Sequence, residues 1–207
     1  ISKPFYISLH LLKTFLSKIT LYAALRDSNY TACRKNLIMV ISSSHIHYKQ
    51  NLDVVNINTA NKSNVKRFTQ NGQIQIYQSL YRGSYPSIIR DSLRNAALGR
   101  KVLLIQFMKG GVKQGVDNAV RLCGNLTWIR SSHSFDQYNS EEITNNNNLK
   151  NSIHESTLEL WNFCKKELRS GENDQIILDE IFLAIEMKII DKDDLISTLE
   201  NRFISGD

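Results

Sequence analysis

Residues 72 to 111 show the patterns of a strand, a turn, a helix and a second strand in close succession. Ile74 to Tyr77 is a short run of β-branched and aromatic residues, which is typical of a strand. Pro86 suits the first position of a helix, and Gly99 suits the left-handed position that ends one. Val102 to Phe107 is almost entirely apolar, as in a parallel strand covered by helices on both faces. The segment therefore predicts a βαβ unit.

The turn from Gln78 to Tyr85 has the position of a phosphate-binding loop but only part of its chemistry. A loop of the Walker A type combines a glycine-rich turn with a Lys for the phosphates and a Ser or Thr for Mg²⁺. Aligned on Gly83, Ser84 stands where the Lys belongs and Tyr85 stands where the Ser or Thr belongs. Two interpretations stay open at this point: an altered nucleotide loop, or an ordinary strand-to-helix turn.

A second candidate site is the segment Gln175 to Glu180, where a short apolar run ends in two carboxylates. Open α/β sheets bind ligands at the carboxyl ends of their strands. An Asp at the tip of a buried strand commonly supports nucleotide-bound Mg²⁺, because hard cations prefer oxygen ligands. Asp179 is therefore the best candidate for a metal-associated residue, with Glu180 beside it. The alternative is that Asp179 only caps a helix that begins near Ile181.

Two further helices are expected in the second half of the chain. Apolar residues recur at helical spacing between Ser152 and Arg169. A closing helix is expected over Asp193 to Asn201, with Asp191 or Asp193 as its cap. The polar tract Asn145 to Asn148 is expected to be an exposed loop.

The charge of the chain changes near residue 70. Residues 1–70 hold ten Lys or Arg against two acids, whereas residues 71–207 hold sixteen against eighteen. Residues 56 to 71 are polar and rich in Asn, as in a linker. We therefore expect a basic N-terminal extension of unassigned role over residues 1–70 and an α/β domain over residues 71–207.

The apolar stretch from Phe5 to Leu25 carries Lys13 and Lys18, whereas a membrane span needs about 20 residues nearly free of charge. No transmembrane span is expected; an amphipathic helix, or non-native upstream sequence in a fragment, fits better. The basic excess has no accompanying aromatic-basic motif, so no specific nucleic-acid partner is expected. Three cysteines without a C-x-x-C pair favour neither disulfides nor zinc, and a cytoplasmic location is expected.

Three segments, in order, resemble the P-loop type of ATP:corrinoid (cob(I)alamin or cob(I)yrinic acid a,c-diamide) adenosyltransferase. They are LGRKVLLIQFMKG, the segment Asn125 to Trp128, and the stretch from LELWNFCKKEL through IILDE to DDLISTLENR. The resemblance covers about residues 72 to 202. Its more specific parts are Gln106 to Gly110 and Leu178 to Glu180.

The resemblance implies an α/β fold of the P-loop NTPase type, with a mostly parallel sheet flanked by helices. It also implies binding of ATP, Mg²⁺ and a corrinoid substrate. In such a family the cobalt, reduced to Co(I), attacks the 5′ carbon of ATP and displaces triphosphate, in cobalamin biosynthesis or salvage.

Site residues carried over by position form four groups. Arg82, Gly83 and Ser84 would lie at the phosphates, and Asp179 and Glu180 would serve Mg²⁺. Lys109 would lie near the nucleotide or the corrinoid. Trp128 would lie on the corrinoid side, with Gln106 and Phe107 shaping the floor of the site.

The chain departs from the family pattern in two places. The family loop carries Gly-Lys-Thr where this chain has Gly83-Ser84-Tyr85, which removes two contacts that compensate phosphate charge. The family pattern also continues beyond residue 207 with at least one more strand and a helix, so an incomplete core or a fragment is expected. Two functions stay open: an active adenosyltransferase, or a non-catalytic relative that acts as a binding or regulatory module. A homodimer is one assembly compatible with either.

Overall fold

The computed structural model describes residues 5–6, 13–14, 36–42, 73–79, 86–133 and 147–202. The strands are β1 (Phe5–Tyr6), β2 (Asn36–Ser42), β3 (Gln73–Ser79), β4 (Val102–Gln106), β5 (Val120–Leu122), β6 (Leu126–Arg130) and β7 (Gln175–Asp179). The helices are α1 (Pro86–Ala97), α2 (Asn147–Ser170), α3 (Ile181–Glu186) and α4 (Lys192–Glu200), with a 3₁₀ turn at Val116–Asn118. Within this described part of the chain, no helix has the length and apolar character needed to cross a membrane.

The sheet is parallel over β7, β4 and β6, and its other pairings are antiparallel. The described residues form one sheet of seven strands in the order β1-β3-β2-β7-β4-β6-β5. β4 lies between β7 and β6 and runs parallel to both, whereas the remaining neighbours pair antiparallel. All five residues of β4 are buried, as its apolar run predicted. The predicted α/β class, with a parallel sheet centre flanked by helices, is confirmed.

β2 occupies a position that the sequence patterns did not predict. β3 and β4 run in the same direction, as a βαβ unit requires, but β2 and β7 lie between them. β2 belongs to residues 1–70 and pairs with β3 on one side and β7 on the other. β1 comes from the same third of the chain, so Phe5–Tyr6 is a strand and not part of the helix considered for Phe5 to Leu25. The boundary near residue 70 stays a prediction, and its linker, residues 56–71, lies outside the described residues.

The hydrophobic core lies on both faces of the sheet. Successive strand residues point to opposite faces, so β4 contributes to two separate clusters. Leu104 packs on the face covered by α1, together with Ile88. Ile105 packs on the other face with Trp161 of α2 and with buried residues of α3 and α4. The parallel strands are therefore shielded from water on both sides.

Local signals at the helix ends agree with the sequence in most places. Pro86 is the first residue of α1, and Gly99 follows that helix with a φ of 89°. The side chain of Asp191 caps α4 by accepting from the backbone N–H groups of Asp193 and Asp194. The loop predicted for Asn145 to Asn148 is wrong at its last two residues, because α2 already begins at Asn147. The amphipathic face that follows outweighs the low helix propensity of Asn.

A polar contact joins α2 to α4 at the edge of the core. Asp194 Oδ2 accepts hydrogen bonds from Trp161 Nε1 at 2.7 Å and from Lys165 Nζ at 2.9 Å. Burial acts to raise the pKa of Asp194, but these hydrogen bonds and the charge of Lys165 outweigh burial. The pKa of Asp194 therefore lies below its ordinary value, and the folded state favours the carboxylate.

Replacing Asp194 by Asn should lower the thermal unfolding midpoint at neutral pH. Because solvent screens this partly exposed contact, it stabilises the fold by about 1 kcal/mol, and its loss should lower the midpoint by about 2–4 °C. A carboxyl with a lowered folded pKa stabilises the fold above its unfolded pKa and loses that contribution as the pH falls through the folded pKa. The difference from wild type should therefore be constant near neutral pH and shrink below 3.8, the ordinary aspartate value.

Thermal unfolding followed by circular dichroism across this pH range measures the effect. Asp193→Asn is the matched control, since Asp193 lies in the same helical turn but its side chain is 83% exposed. Equal losses in the two variants would contradict a specific role for Asp194.

Candidate active site

The carboxyl ends of the three parallel strands bring three polar side chains into one row. The register places Gln106 of β4 opposite Asp179 of β7 on one side and opposite Arg130 of β6 on the other. Each of the three is the last residue of its strand. Asp179 is 1% exposed and Gln106 is 6% exposed. A carboxylate and an amide this deeply buried must find partners within the protein or in a ligand.

Asp179 accepts two hydrogen bonds on one of its carboxylate oxygens. Oδ2 lies 2.8 Å from Gln106 Nε2 and 2.7 Å from Lys109 Nζ. Lys109 follows β4, and its side chain is only 16% exposed, so the ion pair is largely buried. Removing one partner from a buried pair typically costs about 3–5 kcal/mol, because the other charge is left without compensation. The position of Lys109 is therefore tied to that of Asp179.

The other carboxylate oxygen of Asp179, Oδ1, is buried and has no hydrogen-bond partner among the described residues. Buried polar atoms in native proteins nearly always have a partner, so an unpaired one needs a specific explanation. A water molecule, a cation or a polar ligand group would satisfy it. Oδ1 therefore marks the point in this cluster where a bound group is expected.

Glu180 follows Asp179 directly and forms the N-cap position of α3. Its backbone is left-handed, with φ 62° and ψ 20°, and its side chain makes no capping hydrogen bond. The alternative interpretation, that Asp179 only caps this helix, is wrong, because the Asp179 carboxylate bonds to Gln106 and Lys109 instead. A non-glycine residue in this conformation costs about 1–3 kcal/mol, and such strain concentrates at functional sites. Glu180 is also 1% exposed, so two adjacent carboxylates are buried at this edge.

Trp128 in β6 is joined to Asp179 through Gln106. Trp128 Nε1 donates to Gln106 Oε1 at 3.0 Å, while the other end of the same amide donates to Asp179. Arg130 lies with its guanidinium carbon 5.5 Å from the centroid of the Trp128 ring, within cation–π range. Arg130 Nε also donates to the Lys109 carbonyl oxygen at 3.1 Å. These five residues form one connected cluster, which we call the carboxyl-edge cluster.

The structure brings together four of the residues predicted from sequence, namely Gln106, Lys109, Trp128 and Asp179. Phe107 belongs to the same edge through its backbone, since its N–H donates to the Asp179 carbonyl oxygen at 3.1 Å. Its side chain is fully buried in the hydrophobic core.

Arg82, Gly83 and Ser84 of the predicted phosphate loop lie outside the described residues. The strand that precedes them, β3, runs in the same direction as β7, so its last residue, Ser79, lies at the carboxyl edge of the sheet. β2 separates β3 from β7 at this edge.

Arg130 is a member of the carboxyl-edge cluster and Gln114 bonds to two of its residues, but neither was predicted from sequence. Gln114 Nε2 donates to the Trp128 carbonyl oxygen at 3.2 Å, and the Gln114 carbonyl accepts from the Arg130 N–H at 2.8 Å. For Arg130 a signal existed, since it ends an apolar strand as Gln106 and Asp179 do. Gln114 lies in an irregular loop, where no periodicity indicates which side chains turn inward.

The turn that carries Lys109 is held against the segment that follows β6. The Gly111 N–H donates to the Ser132 carbonyl oxygen at 3.2 Å. Gly110 lies so close to His133 that an added Cβ would overlap the His133 backbone. Burial lowers the pKa of His133, in keeping with its position beneath this turn. Position 110 therefore accepts only glycine without a displacement of the turn.

Replacing Gly110 by Ala should push the turn away from the sheet and move the Lys109 ammonium from Asp179. The neighbouring atoms are backbone atoms, which cannot rotate aside, and an overpacking cost of about 1–3 kcal/mol would lower the thermal midpoint by about 2–12 °C. Gly115→Ala is the matched control in the same loop, because nothing lies within 4 Å of its added Cβ and its φ is −74°. Indistinguishable midpoints for the two variants would contradict this account of the turn.

The fold and the cluster define an α/β protein with a carboxylate-centred site at the edge where α/β proteins bind ligands. A family model described as ATP:corrinoid adenosyltransferase BtuR/CobO/CobP matches residues 70–205. The match covers most of the chain, and the protein belongs to this family. The resemblance predicted from the segments around Gln106 and Asp179 is thereby confirmed. Comparison with curated proteins and with solved structures gives no match.

Proposed function

We propose that this protein is an ATP:corrinoid adenosyltransferase that transfers the 5′-deoxyadenosyl group of ATP to Co(I) of a corrinoid, in cobalamin biosynthesis or salvage. The observation that carries the proposal is the buried Asp179 carboxylate, bonded to Gln106 and Lys109 and open at Oδ1 within the described residues. All three residues lie within the span of the family model. A carboxylate and a cation at the carboxyl edge of a sheet suit the polyphosphate end of a nucleotide.

The proposed reaction exchanges one bond for another at C5′ of ATP. The Co(I) corrinoid supplies both electrons of the new cobalt–carbon bond, and the bond between C5′ and its oxygen breaks. Triphosphate leaves with that electron pair. The corrinoid carries the nucleophilic chemistry itself, so the protein places the two substrates, excludes water and stabilises the charge on the leaving triphosphate.

The carboxyl-edge cluster contains cations that suit stabilisation of the leaving triphosphate. The phosphate loop lacks the usual Lys, because Ser84 stands in its position. Lys109 and Arg130 lie together at the carboxyl edge, linked by the hydrogen bond from Arg130 Nε to the Lys109 carbonyl. We assign these two residues, with Arg82 in the loop, to the negative charge of the triphosphate.

Mg²⁺ is expected to accompany ATP, and the residues fit it at one position. Asp179 Oδ1 is a buried oxygen without a partner among the described residues. Mg²⁺ at nucleotide sites is commonly held by one or two carboxylates together with waters and phosphate oxygens. Asp179 would hold it, with Glu180 adjacent, and bound Mg²⁺ would neutralise part of the triphosphate charge. The described residues contain no group of three or more His, Cys, Asp or Glu that could hold a metal ion by themselves.

The remaining roles follow from the positions of the predicted residues in the family pattern. We assign Gly83 and Ser84 to the phosphates and Trp128 to the corrinoid side. Gln106 forms the floor between them, and Phe107, whose side chain is buried in the core, contributes through its backbone. A cytoplasmic location and a homodimeric assembly stay predictions.

The protein should form adenosylcobalamin from ATP, Mg²⁺ and chemically reduced cobalamin faster than a protein-free control. Asp179→Asn keeps the shape of the side chain but removes its charge, and should lower the rate about 100-fold. Asp174→Asn is the matched control, since Asp174 lies beside the opposite end of β7 and accepts from the Lys101 N–H at 2.8 Å.

The absorbance spectrum of adenosylcobalamin, checked by chromatography of the product, gives the rate. A rate of adenosylcobalamin formation by the wild-type protein no higher than that of the protein-free control would contradict the proposal that the protein is an enzyme. Equal rates for Asp179→Asn and Asp174→Asn would contradict a role for Asp179 in the reaction.

One feature of the sequence favours a second function. Ser84 and Tyr85 replace the Lys and Thr that hold phosphate and Mg²⁺ in the family loop. A chain that keeps the fold without these contacts would serve as a binding or regulatory module. Such a module would bind a nucleotide or a corrinoid without forming the cobalt–carbon bond.

Titration calorimetry with ATP and Mg²⁺, combined with the assay for adenosylcobalamin, separates the two functions. Lys109→Met should weaken binding about 10-fold or more, because a charge-assisted contact is worth about 1.5–3 kcal/mol. Lys113→Met is the matched control, since Lys113 is an exposed lysine in the same loop. Tight binding that is lost in Asp179→Ala, without product formation, would favour the module. Absence of ATP binding to the wild-type protein would contradict the nucleotide site altogether.

A further inference from the structure

Both ends of the Gln106 side-chain amide are hydrogen-bonded. One end meets Asp179, which we proposed to bind Mg²⁺ with ATP, and the other meets Trp128, which we assigned to the corrinoid side. Gln106 Nε2 donates to Asp179 Oδ2 at 2.8 Å, and Gln106 Oε1 accepts from Trp128 Nε1 at 3.0 Å. We propose that Gln106 is a positioning residue that couples Asp179 to Trp128, so that ATP with Mg²⁺ at Asp179 strengthens corrinoid binding at Trp128. This inference rests on the proposed function, since it takes the two ligands from there.

The chemistry of the two partners allows only one orientation of the Gln106 amide. An indole N–H can only donate and an ionised carboxylate can only accept. The amide oxygen must therefore face Trp128 and the amide nitrogen must face Asp179. At 6% exposure, water has little access to replace either bond. A displacement of the Asp179 carboxylate is thus passed to Trp128 through a side chain whose ends cannot be exchanged.

The backbone around Gln106 is fixed, which leaves the side chain as the adjustable part. β4 is paired in register with β6 and β7 along its whole length. The Gln106 carbonyl accepts from the Ser131 N–H at 3.0 Å, and the Phe107 N–H donates to the Asp179 carbonyl at 3.1 Å. A shift of one end of the amide therefore moves its other end, while the strand stays in place.

A second set of contacts closes a ring between the same two residues. Lys109 Nζ bonds to Asp179 Oδ2, and the Lys109 carbonyl accepts from Arg130 Nε. Arg130 lies over the ring of Trp128. Asp179 and Trp128 are thus connected by the Gln106 amide on one path and by two cations on the other. Trp128 is only partly buried, so its indole has room to respond.

A purely structural role for Gln106 predicts a different result. Loss of a buried amide would leave its partners unsatisfied and cost about 1–3 kcal/mol of stability, whichever ligands are bound. A coupling role adds that MgATP changes the affinity for the corrinoid, and that the corrinoid changes the affinity for MgATP by the same factor. The ratio of the corrinoid affinities measured with and without MgATP therefore distinguishes the two roles, whereas the unfolding midpoint does not.

The first measurement uses Trp128 as a fluorescent reporter. The chain has two tryptophans, so Trp161→Phe leaves Trp128 alone. In this background, MgATP should change Trp128 emission and its quenching by acrylamide. The change should be much smaller in Gln106→Leu. It should persist in Gln175→Leu, a matched control whose glutamine bonds to Asn95 Nδ2 at the opposite end of β7.

The second measurement is calorimetric titration of hydroxocobalamin with and without MgATP. In the wild-type protein, MgATP should strengthen binding about fivefold or more. The ratio should fall well below its wild-type value in Gln106→Leu and in Trp128→Phe, which keeps an aromatic ring but lacks the N–H, and the path through Lys109 and Arg130 sets what remains. Gln106→Glu should also lower the ratio, because its second oxygen meets the Asp179 carboxylate as a like charge. That variant should keep the acrylamide quenching of Trp128 seen in the free wild-type protein, since it retains an acceptor for the indole.

Each outcome decides between the roles. A ratio that is close to one in the wild-type protein, or unchanged in the folded Gln106 and Trp128 variants, overturns the coupling and leaves the adenosyltransferase proposal standing. A wild-type protein that binds no ATP overturns both. Circular dichroism establishes that each variant is folded, and Trp128→Phe, at a partly buried position, provides the test should Gln106→Leu fail to fold.

Discussion

The buried carboxylate of Asp179 is the constraint from which the arrangement of the site follows. A charge that is 1% exposed must be compensated, and the protein does so with the Lys109 ammonium and the Gln106 amide. Lys109 can reach Asp179 only if the turn after β4 lies flat against the segment after β6. That closeness in turn requires glycine at position 110. One buried charge thus specifies a lysine, a glutamine and a glycine in the five residues that follow the apolar part of β4.

Parallel pairing explains why these groups meet at all. β7, β4 and β6 run in one direction and in register, so their last residues form a row and the loops that follow leave from the same edge. Helices cover both faces of this part of the sheet, so the edge is the place where polar side chains converge. The chemistry proposed for the protein would use these properties: a fixed backbone, side chains with partners on both sides, and one carboxylate oxygen that remains unsatisfied among the described residues.

Sequence patterns predicted the parts of the fold that depend on local chemistry. The apolar run of β4, Pro86 at the start of α1 and the cap at Asp191 each indicate their structure within a few residues. The insertion of β2 between β3 and β7 was not predictable in this way. Strand order depends on pairing between residues far apart in the chain, and the basic composition of residues 1–70 indicated an extension rather than a central strand.

The candidate site also has some residues that could be predicted from sequence and others that could not. Asp179 and Lys109 could be predicted because each lies at or just after the end of an apolar strand, where ligands of α/β sheets bind. Gln106 was predicted from the resemblance to the adenosyltransferases, which includes Gln106 to Gly110. The mutual contacts of these three residues depend on the register, which the sequence does not display. Arg130 was not predicted, because the resemblance identifies β6 only through the segment Asn125 to Trp128. Gln114 was not predicted, because it belongs to an irregular loop. Ser84 and Tyr85 show from sequence alone that the predicted phosphate loop departs from the family pattern, but not what would compensate the phosphate charge in its place.

The most direct test of the central claim is a crystal structure of the protein with ATP and Mg²⁺. The account predicts that the triphosphate lies at the carboxyl edge, with Mg²⁺ at Asp179 Oδ1 and phosphate oxygens near Lys109 and Arg130. Electron density for the triphosphate at another place, with the bond between Lys109 and Asp179 intact and Oδ1 occupied only by water, would contradict it.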